Sequence, residues 1–216
     1  MLVKDYMTRH PLMAGPDMSI IEAQKYMGEN NIRHLPVVGD GKRLLGLVTR
    51  QTLMVDPGRL GSLSVWEIAR ALSGLTVKDV MIKAPNVITV SQDETIEDAA
   101  LLMVQKRIGC LPVVERGILI GIITEVDLLA QLAEMMSTHA HGVRVTVRMP
   151  DLPGELAKLV AAIAARGWGI PALGGAASPK ASGKWDAVVK LAVSREQALE
   201  VLGGIPGQEI IDIRET

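Results

Sequence analysis

The order of apolar and polar positions in the first 136 residues occurs twice. Val-Lys-Asp at residues 3–5 returns at residues 77–79, and the apolar run Leu-Pro-Val-Val at residues 35–38 returns at residues 111–114. The offset between the two copies stays between 74 and 76 residues, so the differences in spacing fall in loops. A repeat at this separation predicts two structural units with the same order of helices and strands.

Each copy contains a hydroxyl residue followed three positions later by an acid, a pair that typically opens a helix. In the first copy the pair is Ser19 and Glu22, and in the second it is Thr95 and Asp98. Hydroxyl and carboxylate oxygens at this spacing accept hydrogen bonds from backbone N–H groups that have no partner in the first helical turn. We therefore predict a helix after each pair.

The apolar runs that follow this helix in each copy predict two buried strands joined by a hairpin. Gly-Asp-Gly at residues 39–41 supplies the turn of the first copy, and Arg-Gly at residues 116–117 supplies that of the second. Thr49 and Thr124 then begin a second helix in each copy, and a connecting helix is predicted over residues 64–72. Each copy is thus expected to contain a helix, two strands and a helix.

The last third of the chain has a different pattern, which begins with a clean alternation of apolar and polar residues. This alternation predicts a half-buried strand, and the later segments change between the periods of helices and strands. The predicted elements are a strand over residues 143–148, a helix over 155–166, a strand within 170–178, a strand over 185–193, a helix over 194–202 and a strand over 209–214. The expected order is therefore strand, helix, strand, strand, helix, strand.

Composition and charge restrict the class of protein. The chain has 216 residues with 23 basic and 24 acidic side chains, a formal net charge of -1 and no long block of either sign. Such a balance argues against nucleic acid or an anionic membrane surface as a partner. Charged residues, Gly or Pro interrupt every apolar stretch before the roughly 20 residues that a membrane span needs. A single cysteine, Cys110, and an N-terminus without a signal-peptide pattern favour a cytoplasmic protein.

The repeated motifs resemble those of the cystathionine-β-synthase (CBS) domain family. Leu-Pro-Val-Val occurs in both copies, and Gly-Leu-Val-Thr at residues 46–49 corresponds to Gly-Ile-Ile-Thr at residues 121–124. The resemblance covers residues 1–136 and implies an α+β fold in which two CBS repeats form a pseudo-twofold pair. The first repeat with the connecting helix is expected at residues 1–75 and the second at residues 76–136. In this family the clefts between the repeats commonly bind adenosine-containing ligands.

Residues 142–216 resemble an ACT domain, which is a regulatory domain with a ferredoxin-like layout. The resemblance rests on the order of elements and on Asp-Leu-Pro-Gly-Glu-Leu after the first strand. Several ACT domains bind amino acids at this turn through backbone amides and a helix N-terminus, which implies a ligand contact for Asp151, Leu152, Pro153 and Gly154. The alternative is an ordinary turn between a strand and a helix. A CBS pair followed by an ACT domain resembles the acetoin-utilisation-type regulatory proteins of bacteria.

The second copy carries the residues that the CBS resemblance assigns to a nucleotide. Thr124 and Asp127 stand where the family has Thr-x-x-Asp, so Asp127 would accept hydrogen bonds from a ribose, and Thr124 would contact a phosphate or ribose oxygen. The same two residues also form an ordinary helix-opening pair, which is the alternative. The first copy has Thr49 and Thr52 at the corresponding positions and therefore lacks the carboxylate.

Residues of the first copy are expected to complete this site. Arg33 and His34 precede Leu-Pro, where nucleotide-binding family members often place basic side chains against phosphate. Taken alone, Arg33 would be a solvated surface charge and His34 a structural histidine. The residues predicted to form one strong site are Met13, Ala14, Ile32, Arg33, His34, Thr124 and Asp127. The residues predicted to form a second, weak or empty cleft are Thr49, Thr52, Ile88 and Gly109.

No catalytic signature accompanies these motifs in the sequence. A nucleophile and base in a recognisable arrangement are missing, and so is a Gly-rich phosphate loop between a strand and a helix. His139 and His141 are expected to be solvated and not to bind a metal, and Cys110 is expected to be a buried, inert thiol. The hypothesis is a non-catalytic, homodimeric sensor of AMP, ADP, ATP or a related adenosyl ligand that regulates a metabolic enzyme and requires no cofactor. The alternatives are a ligand-free oligomerisation scaffold and an amino-acid sensor that acts through the ACT domain.

Overall fold

The structure is a computed structural model that describes residues 1–53 and 74–216. The chain forms two compact units, Met1–Leu128 and Leu129–Thr216. The connecting helix predicted over residues 64–72 lies outside the described residues. Most of the second helix predicted after Thr49 also falls outside them, and residues 50–53 form a turn.

The first unit contains both copies of the repeat, and their elements follow the same order. The first copy comprises α1 (Val3–Tyr6), β1 (Thr8–Arg9), α2 (Ile20–Glu29), β2 (His34–Val38) and β3 (Leu44–Thr49). The second copy comprises α3 (Val77–Val80), β4 (Ile82–Lys83), α4 (Ile96–Lys106), β5 (Cys110–Glu115) and β6 (Ile118–Thr124), and α5 (Glu125–Met135) follows it. The predicted helix starts are confirmed, because Ser19 and Thr95 each accept a hydrogen bond from the backbone N–H three residues later.

Each copy contributes its first short strand to the sheet of the other copy. The two three-stranded sheets have the orders β2-β3-β4 and β1-β6-β5, and all pairs are antiparallel. The exchanged strands pair with a glycine in each sheet, Gly46 in β3 and Gly121 in β6. A Cβ atom on Gly46 would lie 2.5 Å from the carbonyl oxygen of Ile82, and one on Gly121 would lie 2.5 Å from Sδ of Met7. The missing side chains therefore permit the close approach of the exchanged strands.

The exchange extends into the hydrophobic cores of the first unit. Val77 of the second copy is fully buried in the core around α2, β2 and β3, and Val3 of the first copy is fully buried in the core around α4, β5 and β6. Each buried valine contributes roughly 1.5–3 kcal/mol of hydrophobic free energy. Leu47, Cys110 and Ile122 form a smaller buried cluster with members from both sheets. Core packing and strand pairing therefore both hold the two copies together.

The second unit is a four-stranded antiparallel sheet with two helices. Its elements are β7 (Val143–Pro150), α6 (Glu155–Ala164), β8 (Ala172–Ala177), β9 (Lys184–Leu191), α7 (Arg195–Leu202) and β10 (Glu209–Glu215). The strand order in the sheet is β10-β7-β9-β8. The sequence of elements predicted above is confirmed, and it is the β-α-β-β-α-β order of ferredoxin-like folds.

The two faces of this sheet differ in chemistry, as the alternation along β7 predicted. On one face, apolar residues such as Val145 and Val147 are fully buried in a core that includes residues of α6 and α7. On the other face, Arg148 donates two hydrogen bonds to the carboxylate of Asp186, at 2.7 and 2.9 Å. These bonds hold the pKa of Asp186 below its ordinary value of 3.8. The pair therefore contributes to the stability of this unit while Asp186 is ionised.

Candidate functional site

Two of the clefts in the first unit are lined by described residues of both copies. The first cleft has a volume of about 620 Å³ and the second cleft has a volume of about 460 Å³. Volumes of this size are typical of small-molecule sites. The first cleft brings together five of the predicted residues, which are Ile32, Arg33, His34, Thr124 and Asp127. The second cleft brings together all four of its predicted residues, which are Thr49, Thr52, Ile88 and Gly109.

Asp127, in the first cleft, uses one of its two carboxylate oxygens to cap helix α5. Its Oδ2 accepts hydrogen bonds from the backbone N–H and from Oγ1 of Thr124, both at 2.8 Å. Within residues 1–53 and 74–216, no protein group donates to Oδ1 of this carboxylate. That oxygen keeps its acceptor capacity for a ligand, such as a ribose hydroxyl. Helix capping and ligand binding by Asp127 are therefore compatible, although the sequence presents them as alternatives.

Thr52, at the corresponding position of the second cleft, has a hydroxyl that both accepts and donates a hydrogen bond within its own turn. Its Oγ1 accepts a hydrogen bond from the backbone N–H of Thr49 at 2.9 Å and donates one to the carbonyl oxygen of Thr49 at 3.0 Å. The backbone N–H of Thr52 in turn donates to Oγ1 of Thr49 at 3.2 Å. This turn closes on itself and offers no carboxylate to a ribose diol.

Arg33 and His34 lie where the two copies meet, and with Arg50 they line both clefts. Nη2 of Arg33 lies 3.2 Å from Oε1 of Glu125, and both side chains are about half exposed. His34 is half-buried, and its burial, together with the charge of Arg33, lowers the pKa of its imidazole, while Glu125 acts in the opposite direction. His34 is therefore neutral at pH 7, and the permanent positive charge shared by the clefts comes from Arg33 and Arg50.

The structure also corrects the predicted membership of the first cleft. Met13 and Ala14 do not line it. Ala14 is buried in the core, and its backbone pairs with β2 through bonds to Pro36 and Val38. The segment around β1 lines the cleft instead, through Thr8, Pro11 and Leu12. Sequence reasoning missed these residues because no periodic pattern marks a two-residue strand.

The remaining candidate residues lie outside the two clefts or are not reactive. Cys110 is buried, and burial raises the pKa of its thiol to about 12, so it stays protonated at neutral pH. His139 and His141 are exposed. In the part of the chain that the structure describes, no three His, Cys, Asp or Glu side chains lie together as a metal site would require. None of the described helices combines the length and apolar content of a membrane span.

The turn over residues 151–154, predicted as a candidate amino-acid site, leads from β7 into α6. All four residues are exposed, and Gly154 has a φ of 90°, a conformation that favours glycine. The next residue, Glu155, is buried and binds Lys158 at 2.6 Å and the side chain of Gln208 at 3.3 Å. These bonds lower the pKa of Glu155. The arrangement fixes the start of α6, and within the turn the backbone N–H of Asp151 donates to the carbonyl oxygen of Gly183 at 3.0 Å.

Comparison with known proteins places the first unit in a family. The model of the CBS domain matches residues 3–57 and 77–134, which together are more than half of the chain. The chain belongs to the CBS domain family. The two matches coincide with the two copies of the repeat, so the clefts described above are those of a CBS pair.

Three relatives illustrate the range of this CBS protein's similarities. L-aspartate semialdehyde sulfurtransferase of Methanocaldococcus jannaschii is 34% identical over 131 residues, which are 59% of this chain and 22% of that protein. The crystal structure of an acetoin utilization protein (AcuB) from Vibrio cholerae matches with a TM-score of 0.53 and 29% identity over 64% of this chain and 95% of that chain. CBSX2 from Arabidopsis thaliana, solved in complex with AMP, matches with a TM-score of 0.51 and 28% identity over 61% of this chain and 95% of that chain.

The chain spans between 22% and 47% of the length of the first curated relatives that it matches. The similarity to the sulfurtransferase therefore concerns about a fifth of that protein. The activity of that whole enzyme does not transfer to this chain.

Proposed function

We propose that this protein is a non-catalytic regulatory sensor that binds an adenine nucleotide, or a related adenosyl ligand, in the first cleft. The observation that carries the proposal is the Oδ1 atom of Asp127, which accepts no hydrogen bond from the described residues and lies in a cleft that Arg33 also lines. The carboxylate suits the hydroxyls of a ribose, and the guanidinium suits a phosphate. AMP bound to the similar CBSX2 supports the choice of ligand class.

Binding would couple the two copies of the repeat, because each supplies one end of the site. Arg33 and His34 come from the first copy, and Thr124 and Asp127 come from the second. A ligand that contacts both ends favours the arrangement of the copies in which these groups are correctly spaced. A change in this arrangement is the signal that a regulated enzyme would detect. In this proposal the adenine nucleotide is a regulatory ligand and no cofactor is required.

The proposal extends to domains, assembly and location. We assign residues 1–75 and 76–136 to the CBS repeats and residues 142–216 to an ACT-like domain. This domain would couple to a dimer interface or bind a second small ligand through residues 151–154.

A homodimer is supported by helix α5, on which four apolar residues recur every three positions and are each more than half exposed: Val126, Leu129, Leu132 and Met135. Burial of such a face in an interface would release hydrophobic free energy. We expect a cytoplasmic homodimer that acts on a metabolic enzyme, and sedimentation equilibrium tests the dimer.

Titration calorimetry with AMP, ADP and ATP tests the nucleotide site. The informative variant is Asp127→Asn, because the amide oxygen can still cap helix α5 while the negative charge and one acceptor are lost. Loss of charge-assisted hydrogen bonds to a ribose is expected to weaken binding by about 10- to 100-fold. The matched control is Asp98→Asn, because Oδ2 of Asp98 likewise accepts a hydrogen bond from Oγ1 of the threonine three residues before it, Thr95, but Asp98 does not line the cleft.

The proposal is wrong if Asp127→Asn leaves the affinity unchanged or if Asp98→Asn weakens it equally. A thermal-shift series with the same nucleotides separates the sensor from the alternatives, because a ligand that binds the native state raises its melting temperature. A ligand-free scaffold would show no shift with nucleotides. A sensor acting through the ACT-like domain alone would respond to amino acids only.

A further inference from the structure

We propose that the second cleft binds a di- or triphosphate chain, either free or as the tail of a nucleotide, without recognising a ribose. This inference does not depend on the adenosyl site proposed for the first cleft, although Arg33 and Arg50 line both clefts. The inference rests on the charge of the second cleft, on the closed turn at Thr52 and on the position of Arg107.

The second cleft has an excess of permanent positive charge. Arg33, Arg50 and Arg107 line it, and Glu125 is the one carboxylate among its described lining residues. The described lining of the first cleft contains Arg33, Arg50 and Asp127, so it carries one positive charge fewer than that of the second cleft. Planar guanidinium groups bind phosphate oxygens in pairs of hydrogen bonds, and several of them in one concave site favour a ligand with several negative charges. The described lining of the second cleft is therefore more positive than that of the first, as the binding of a polyphosphate requires.

The closed turn argues against a ribose as the recognised group in the second cleft. The hydroxyl of Thr52 already accepts and donates a hydrogen bond within the turn. Among the described residues that line this cleft, the one carboxylate is that of Glu125, which lies 3.2 Å from Arg33. A ribose diol placed there would lose its bonds to water without gaining an equivalent acceptor, which is unfavourable. A phosphate chain needs donors, and the arginine side chains supply them.

Arg107 is the residue that distinguishes the second cleft from the first. It follows helix α4 with a φ of 54°, and the corresponding residue after α2 is Asn31, with a φ of 51°, which lines the first cleft. Asparagine adopts this left-handed conformation more readily than arginine does. The local backbone therefore does not explain an arginine at this position, whereas a phosphate in the cleft does. The variant Arg107→Asn removes the charge and keeps a residue suited to the backbone.

Calorimetric titration of the full chain with sodium tripolyphosphate at low salt tests the proposal. Arg107→Asn is expected to weaken binding by about tenfold or more, because a charged donor to phosphate is lost. Asp127→Asn, which changes only the first cleft, is expected to leave the affinity for tripolyphosphate unchanged or to raise it slightly. Lys106→Gln removes the same charge from an exposed residue that does not line the cleft, and its effect should stay within about twofold because solvent screens it.

The inference is overturned if wild-type protein does not bind tripolyphosphate, or if Arg107→Asn, shown to be folded by an unchanged melting curve, binds it as tightly as the wild type. Equal losses in Arg107→Asn and Lys106→Gln would also overturn it, since the effect would then be one of net charge. Titration of the Asp127→Asn variant with ATP identifies the source of the phosphate chain. If this variant binds ATP as tightly as it binds tripolyphosphate, the chain is the tail of a nucleotide. If it binds ATP much more weakly, the ligand is free polyphosphate. AMP titrated into the same variants tests the first cleft separately, so failure of one proposal is distinguishable from failure of the other.

Discussion

The substitution Glu125→Gln should strengthen anion binding, because it releases Arg33 from an internal ion pair. The charged atoms lie 3.2 Å apart, and the two side chains are 51% and 49% exposed. Unit charges at this distance attract by about 1.3 kcal/mol in water, and exposed pairs of this kind contribute roughly 0.2–1 kcal/mol in practice. Freeing the guanidinium for a phosphate is therefore worth up to about fivefold in affinity. In the second cleft, which Glu125 lines, the loss of a repelling carboxylate adds to this gain.

Calorimetry with tripolyphosphate and with AMP measures the effect in Glu125→Gln. The expected gain is two- to tenfold for tripolyphosphate and smaller for AMP, and both gains should shrink at 1 M salt, where the Debye length is about 3 Å. Glu97→Gln is the matched control, because Glu97 also lies in the first turn of a helix, is exposed and lines neither cleft. Unchanged or weaker tripolyphosphate binding in Glu125→Gln, or an equal gain in Glu97→Gln, would refute the reasoning.

Three further predictions concern stability and reactivity. Gly121→Ala should destabilise the protein by about 1–3 kcal/mol in urea unfolding, because the new Cβ would lie 2.5 Å from Sδ of the buried Met7 and 3.1 Å from the backbone carbonyl oxygen of Thr8. Asp186→Asn should cost about 1–2 kcal/mol at pH 7, where the pair with Arg148 is ionised. Because the pKa of Asp186 is lowered from 3.8, this difference from wild type should persist above that pH and vanish as the pH falls through the lowered value. Cys110, with a pKa of about 12, should resist a thiol reagent at pH 8 in the native protein and react fully in denaturant.

Each of these predictions has a control or a contradicting outcome. Gly28 lies in helix α2 with open space around it, so Gly28→Ala should be neutral or stabilising by up to about 1 kcal/mol. Equal destabilisation by Gly28→Ala and Gly121→Ala would argue against the close approach of the exchanged strands. A cost of Asp186→Asn that does not decrease as the pH is lowered below 3.8 would contradict the ion pair. Rapid native labelling would contradict the burial of Cys110.

Local patterns were sufficient to predict the order of the longer helices and strands in the described residues, but not the short elements α1, β1, α3 and β4. Ser19 and Thr95 open helices because the bonds they accept come from backbone groups three residues away. The alternation along β7 predicted its buried and half-buried faces because successive side chains of a strand point to opposite sides. Because the two copies align, the sequence also showed that the first copy has Thr49 and Thr52 where the second has Thr124 and Asp127, and therefore lacks the carboxylate. Helix starts and the buried faces of strands depend on residues close together in the sequence, so the sequence alone is enough to predict them.

The composition of the clefts depends on pairings between distant parts of the chain. The exchange of β1 and β4 between the sheets brings Thr8 and Leu12 to the first cleft, while Ala14 turns into the core. Arg107 joins Arg33 because residues of both copies line the second cleft. Two-residue strands carry no period, and the free oxygen of a carboxylate is known only once its other bonds are placed. Long-range packing, which no local pattern encodes, therefore decided which charges share a cleft.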